Sequence, residues 1–177
     1  MLAEVLDRLK AAVGNYVVAI DGPCCSGKST LADTIAGNVA CNIIRCDDFF
    51  LPPGSIRGDF NLDIDRLIGT LRSLPQKEGD SLTYDKYCCK SGTYKKVRLE
   101  YKRITIVEGV YSLAPSLRDF YNLTVFVDLD LSERLKRLRV RNPHNYDRFV
   151  DEWIPYEDRY LDKYSVRDYA DIRLVAK

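Results

Sequence analysis

Residues Val17 to Thr30, VVAIDGPCCSGKST, constrain this chain more than any other stretch. Val17, Val18, Ala19 and Ile20 form a short apolar run of the kind that a buried parallel strand needs. Leu31, Ala32, Ile35 and Ala36 then recur at helical spacing. Between the two lies Gly22-Pro23-Cys24-Cys25-Ser26-Gly27-Lys28-Ser29, a complete G-x-x-x-x-G-K-[ST] pattern. A strand that feeds a glycine-rich turn and then a helix aims backbone N–H groups and the positive end of a helix dipole at an anion. Lys28 can then reach the outer phosphates, and the Ser29 hydroxyl suits the shell of a Mg²⁺ ion. An ordinary Gly/Ser turn has no need of Gly27-Lys28-Ser29 at this distance from Gly22, and no G-x-G competes. The stretch predicts a nucleoside triphosphate site whose binding residues are Gly22, Pro23, Cys24, Cys25, Ser26, Gly27, Lys28, Ser29 and Thr30.

A chain of 177 residues has room for one α/β domain and little for a second, so residues 1–177 are expected to form a single domain. Its formal charge of +1 argues neither for nor against a nucleic-acid partner in bulk. No apolar stretch approaches the length of a membrane span, and the opening MLAEVLDRLKAAVG is too charged for a secretory signal. Six cysteines include two adjacent pairs and no C-x-x-C. With Cys24 and Cys25 inside the phosphate loop, they fit a reduced, cytoplasmic protein without a cysteine zinc site.

Taken in order, Leu2, Val5, Leu9 and Val13 share one face of a first helix that Gly14-Asn15 ends. After the phosphate loop a helix runs to about Ala36, and Cys41 to Arg45 forms a second strand. Asp47-Asp48-Phe49-Phe50 sits where that strand ends. In a parallel sheet the carboxyl ends of neighbouring strands share one crevice, so the pair fits either an acid facing a phosphate acceptor or a solvated turn. Leu51 to Gly58 is a loop, and Asp63 precedes an amphipathic helix with Ile64, Leu67, Ile68 and Leu71, where it suits a cap or a ligand contact. Ser81 to Tyr101, rich in Tyr, Thr, Val and Lys and broken by Lys90-Ser91-Gly92, predicts a hairpin projecting from the sheet edge. Its mixed charge favours a flap over a substrate as much as a nucleic-acid surface.

Arg103 to Val107 returns to the buried-strand pattern and ends in Glu108, a carboxylate placed to serve Mg²⁺ or a local turn. Leu123 to Val127 is a further strand, and Ser132 starts a helix on which Arg134, Arg137 and Arg141 share a stripe while Leu135 and Leu138 face elsewhere. Cations gathered against their own repulsion suit an arriving phosphate, although a solvated face would look alike. Phe149, Trp153, Tyr156 and Tyr160 form an aromatic stripe that fits core packing, with Pro155 as a kink. His144 lies in a loop signature with no relay partner, and Ala170 to Val175 is a last strand.

Together, the phosphate loop, CDDFFLPP, FNLD, the Tyr84-Asp85 pair, IVEG and FVDLDLSERLKRLRVR resemble the uridine kinase family. More broadly they resemble the P-loop kinases of small metabolites, which include the nicotinamide riboside kinases. The resemblance runs from about Val17 to Val175. It implies a three-layer α/β fold with a five-stranded parallel sheet flanked by helices and a projecting hairpin at about 81–101. It also implies a lid at about 132–145, with Arg134 and Arg137 acting beside Lys28 on the transferred phosphate. Asp47 would be the general base, also touching Mg²⁺ through water; Ser29 and Glu108 would serve the metal. Phe50, Asp63, Tyr84 and Arg141 would join Asp47 in holding the acceptor. ATP would be the donor, the acceptor a small molecule rather than nucleic acid, and membranes would play no part; a homo-oligomer stays open.

Three departures bear on the acceptor. Pro23 stands where uridine kinases commonly have another glycine, and Phe49-Phe50 matches the nicotinamide riboside kinases rather than the Phe-Tyr of uridine kinases. Lys86-Tyr87-Cys88-Cys89 follows where the family has a base-recognising histidine. The expectation is an ATP:nucleoside 5′-phosphotransferase acting on uridine. Its alternatives are a kinase of nicotinamide riboside, pantothenate or another small alcohol, and a nucleotide-binding regulatory protein without turnover. The last would need the loop but not Asp47, Glu108 and the arginines together.

Overall fold

Period-two alternation inside the short apolar runs decides how this chain layers, because successive strand residues face opposite sides of a sheet. The computed structural model describes residues 2–52, 55 and 60–176. Five strands form a parallel sheet: β1 (Tyr16–Asp21), β2 (Cys41–Arg45), β5 (Ile104–Glu108), β6 (Leu123–Asp128) and β7 (Ile172–Val175). Their order across the sheet is β2-β5-β1-β6-β7. Between β2 and β5 the chain leaves to form an antiparallel hairpin of its own, β3 (Ser81–Cys88) and β4 (Thr93–Glu100).

Val18, Ile20, Ile104, Ile106, Leu123, Val125, Ile172 and Leu174 bury one face of the sheet. They pack against Val5 and Leu9 of α1 (Leu2–Ala11) and against Ala32 and Ile35 of α2 (Lys28–Ala36). Ala19, Ile44, Val107 and Phe126 point the other way, onto Leu67 and Leu71 of α3 (Ile64–Arg72) and Tyr160 and Leu161 of α6 (Ile154–Lys163). The hairpin joins this second core through Tyr84 and Leu99. The three layers, the parallel sheet and the separate hairpin agree with the expected fold.

The remaining helices are α4 (Leu131–Arg141), α5 (Tyr146–Arg148) and α7 (Val166–Tyr169). The loop expected at 51–58 lies partly outside the described residues, which omit 53, 54 and 56–59.

Three local expectations are corrected. Helix α1 stops at Ala11, so Val13 is not carried round to the buried face and is 93% exposed. The aromatic stripe does not pack as one: Tyr160 is buried, but Phe149 and Trp153 stack edge-on against each other at 4.3 Å outside the core. The cause is a π-helical turn, Phe149–Trp153, just ahead of Pro155. It changes the residue count per turn, so positions before and after it no longer share a face. The arginine stripe also divides: Arg134 is buried on the face that carries Leu138, while Arg137 and Arg141 look into a cavity.

Gly109 follows β5 with φ 141°, and a Cβ there would come within 2.6 Å of the Cys46 Cβ. Both the backbone and the contact exclude a larger residue. Gly109→Ala is expected to lower stability by about 2 kcal/mol or more. A urea midpoint equal to that of the unsubstituted protein would contradict this close approach.

Candidate active site

Register brings the site together. In the sheet Ile20 pairs with Glu108, and Glu108 pairs with Arg45, so β1, β5 and β2 end level with one another. Whatever follows those strands must share one rim: the phosphate loop after β1, Cys46–Phe49 after β2 and Gly109 after β5.

The loop is braced from below by a carboxylate that sequence reasoning passed over. Asp21 is fully buried and accepts from the N–H of Gly22 at 2.6 Å, the N–H of Leu113 at 2.8 Å and the hydroxyl of Tyr160 at 2.6 Å. Burial raises its pKa, and those three donors together with Lys28 pull it back. A charged residue closing an apolar strand run was the available signal. At Gly22, φ is 144° and a Cβ would meet the Val127 carbonyl at 2.2 Å, so only glycine lets the loop pass over β6. The buried Lys28 ammonium donates to the Pro23 carbonyl at 2.8 Å, bridging the loop it belongs to.

A cavity of about 210 Å³ opens above the loop, lined by Cys25, Gly27, Lys28, Ser29, Thr30, Arg137 and Arg141. Three cations and the start of α2 suit it to an anion by charge and dipole alike. Within the loop Gly22 and Pro23 are buried, Cys24 is half-buried and Ser26 is fully buried. Arg137 donates to the Cys25 carbonyl at 3.4 Å. Arg134 sits behind the loop instead, donating to the Cys24 carbonyl at 3.1 Å and lying 3.7 Å from Glu157 and 3.6 Å from Asp158.

The Ser29 hydroxyl stands 3.2 and 3.3 Å from the two carboxylate oxygens of Glu108. A hydroxyl and a carboxylate facing each other are the hard oxygen donors that Mg²⁺ takes, and this ion usually keeps waters and phosphate oxygens for its other positions. No cluster of three or more His, Cys, Asp or Glu able to hold a metal occurs among the described residues, so these two would hold the ion only together with a phosphate. Arg45 pairs with Glu108 and also, at 2.7 Å, with Asp33, which fixes the Glu108 side chain from its other side.

The two aspartates after β2 part company. Asp48 is buried, accepting from the Tyr84 hydroxyl at 2.8 Å and pairing with Lys86 at 2.6 Å, so it ties the hairpin to the strand end. Asp47 is exposed to the cleft. Its pKa is raised, first by the water that the cleft walls displace and then by Asp48, while Lys28, Arg141 and Arg45 lower it. Cys89 in the hairpin turn is pushed up by desolvation and then by the charge of Asp47.

Asp63 caps α3, accepting from the Arg66 N–H at 3.1 Å and its guanidinium at 3.2 Å. Arg66 continues to the carbonyls of Asp48 and Asp85 and lies 4.8 Å over the Phe49 ring. Phe50 bridges to Leu62, and the Asp63 N–H donates to the Phe49 carbonyl at 2.8 Å. This pairing ties the segment after Asp47 and Asp48 to the start of α3. Tyr84 stacks on Phe49 at 5.3 Å.

Comparison with known proteins follows the same outline. No family model matches the chain. It is 26% identical to the uridine kinases of Staphylococcus aureus strains JH9 and Newman, over 88% of this chain and 85% of theirs. Its fold is similar to the structure of a possible uridine kinase from Bacillus stearothermophilus, with a TM-score of 0.73, 21% identity and coverage of 98% and 96% of the two chains.

Behind the loop Glu157 accepts from the Cys24 N–H at 2.7 Å. Burial and Cys24 push its carboxyl up to about 8, against Lys28, the Cys24 N–H and Arg134. From its ordinary value of 4.5 up to about 8, the folded chain holds a proton that the unfolded chain has released. Stability owed to that proton is therefore complete below the lower value and is lost as pH rises through the upper one. Glu157→Gln, which cannot ionise, is expected to raise the urea midpoint relative to the unsubstituted protein at pH 9 and to lose that advantage at pH 4. A difference between the two proteins that does not change with pH would refute the assignment.

Proposed function

We propose, for a chain that belongs with the uridine kinase-like P-loop kinases, that it transfers the γ-phosphate of ATP to the 5′-hydroxyl of a nucleoside, with uridine the leading acceptor. The observation that carries this reading is the division of the aspartate pair. Asp48 is spent on Tyr84 and Lys86, while Asp47 stays open to the cleft within the electrostatic reach of Lys28 and Arg141. A nucleotide-binding regulator would have no use for an open carboxylate held at the mouth of the phosphate cavity.

In this reading the loop from Gly22 to Thr30 holds the triphosphate through its backbone N–H groups and Lys28. Ser29 and Glu108 would hold Mg²⁺ together with the phosphates, and the ion would supply neutralisation of charge on the outer oxygens. Asp47 orients the acceptor hydroxyl and takes its proton. Its raised pKa suits that exchange, because a base nearer neutrality holds the proton through the transfer. Phe50 and Asp63 face the acceptor, with Asp63, which also accepts from Arg66, offered to ribose hydroxyls. Tyr84 and the hairpin close the other side. Arg137 and Arg141 stabilise the transferring phosphoryl group as charge spreads over its oxygens. Arg134, held by Cys24, Glu157 and Asp158, keeps the loop in place from behind and reaches the phosphates only if the lid moves.

Lys86 supports a second reading, in which the acceptor is nicotinamide riboside, pantothenate or another small alcohol. An ammonium paired with Asp48 occupies the hairpin where uridine kinases have a base-recognising histidine.

Two measurements test these readings. ADP release with Mg-ATP is expected to depend on one acceptor in a panel of nucleosides, nicotinamide riboside and pantothenate; release independent of every acceptor would refute a kinase of this class. With the active acceptor, Asp47→Asn is expected to lower kcat by about 10²- to 10⁴-fold while leaving the Kd for ATP within about twofold. An unimpaired kcat would remove Asp47 from the role of base.

A further inference from the structure

Arg66 stands where a helix has least use for a cation. It is the third residue of α3, within the first turn, where the helix dipole and reciprocal capping both favour an acid. Its Nη2 is buried with no partner, a further cost to the fold. The rest of the side chain is firmly held. Its Nε donates to the Asp63 carboxylate at 3.2 Å, and its Nη1 donates to the carbonyls of Asp48, at 3.3 Å, and Asp85. The guanidinium carbon lies 4.8 Å from the centre of the Phe49 ring and 5.4 Å from that of Tyr94. Each ring has a further aromatic neighbour at 5.3 Å, Tyr84 for Phe49 and Tyr87 for Tyr94.

These contacts reach three separate segments: the start of α3 at Asp63, the turn after β2 at Asp48 and Phe49, and the hairpin at Asp85 and Tyr94. Asp47, Phe50, Asp63 and Tyr84, the residues read above as facing the acceptor, lie on those segments or directly beside them. We propose that Arg66 is a positioning residue for the acceptor half of the site, holding Asp63, the turn that carries Asp47 and the hairpin in one arrangement without touching either substrate. The inference rests on the kinase reading above.

The chemistry of the side chain suits the task. A guanidinium is a planar fork, so its edge can donate to three oxygens while its faces lie against rings. An ionised carboxylate offers about four acceptor positions, and Arg66 uses two of those on Asp63 through its backbone N–H and Nε. Asp63 can therefore be oriented by Arg66 and still receive hydroxyls. Without the fork the hairpin keeps its bonds from Tyr84 and Lys86 to Asp48 but loses its link to α3. The acceptor would then meet Asp63 and Tyr84 in a looser arrangement. Lys28 and the phosphate loop, held by Asp21 and the sheet, would be undisturbed. The expected deficit is in acceptor binding rather than in donor binding or transfer.

Arg66→Met and Arg66→Lys test this, assayed with Mg-ATP and whichever of uridine, nicotinamide riboside or pantothenate supports turnover. Arg66→Met is expected to raise the acceptor KM about tenfold, with kcat within about threefold and the Kd for ATP within about twofold. Arg66→Lys keeps a charge beside Asp63 but has no fork to reach both carbonyls, and is expected to recover part of that loss. A residue needed only for folding would do the reverse, lowering kcat with the folded fraction and leaving KM alone. That result, or an unchanged KM in Arg66→Met, would overturn the proposal. Amide hydrogen exchange, followed by peptide mass spectrometry, needs no substrate. In Arg66→Met, peptides covering 60–64 and 81–88 are expected to exchange about threefold faster or more, and those covering 131–141 at the unsubstituted rate. Uniform acceleration along the chain, or none, would overturn the proposal. If no acceptor supports turnover, the kinase reading falls, and the exchange pattern alone decides whether Arg66 ties these segments together.

Discussion

Parallel pairing in register is the constraint on which the rest of this structure depends. Because Ile20, Glu108 and Arg45 stand at one level, the chain leaves three neighbouring strands at the same rim. A phosphate loop, an aspartate pair and a lone glutamate, separated by long stretches of sequence, thereby face one another across a few ångströms. Slipping one strand by a single residue would turn its side chains to the opposite face and carry Glu108 away from Ser29. The two apolar cores prevent this. Val18 and Ile20 belong to the face covered by α1 and α2, and Ala19 belongs to the face covered by α3 and α6.

Charge at that rim is arranged in two tiers. Below and behind the loop, buried carboxylates meet fixed donors: Asp21 meets two backbone N–H groups and Tyr160, and Glu157 meets the Cys24 N–H beside Arg134. Burying an ionisable group is costly unless it is bonded, and these bonds hold a loop whose backbone is strained at Cys25. Above the loop, Lys28, Arg137 and Arg141 line the cavity, and the exposed Asp47 lies within their electrostatic reach. The hairpin belongs to both tiers. Its root is tied through Asn42 to the Glu100 carbonyl and its middle through Tyr84 and Lys86 to Asp48, next in sequence to Asp47.

Legibility in the sequence followed the range of the interactions. Strand β2 was readable to the residue, and α2 and β5 nearly so, because periodicity and glycine punctuation are local signals. The π-helical turn before Pro155 was not, since the pattern of apolar residues is consistent with an unbroken helix and only packing reveals the extra residue. Arg134 shows the same limit at the site. Spacing put it on a stripe with Arg137 and Arg141, but a helix face is wide, and whether a guanidinium meets phosphate or Glu157 depends on where α6 docks. Asp21 and Glu157 lie outside the G-x-x-x-x-G-K-[ST] pattern, and apart from the Gly22 N–H their partners are remote in sequence.

The motif from Gly22 to Ser29, by itself, determined a strand-turn-helix unit with the pattern of a phosphate-binding loop. Glycines, a lysine and a hydroxyl at fixed spacing form it through their own backbone and need no distant partner. Strand periodicity likewise determined a layered α/β fold. Only the tertiary structure decided which aspartate of the pair is free, which arginines face the cavity and which thiol of the adjacent cysteines is exposed to it. Those choices are made by hydrogen bonds and burial between segments far apart in the chain, and a linear pattern carries no record of which of two neighbouring side chains is turned inward.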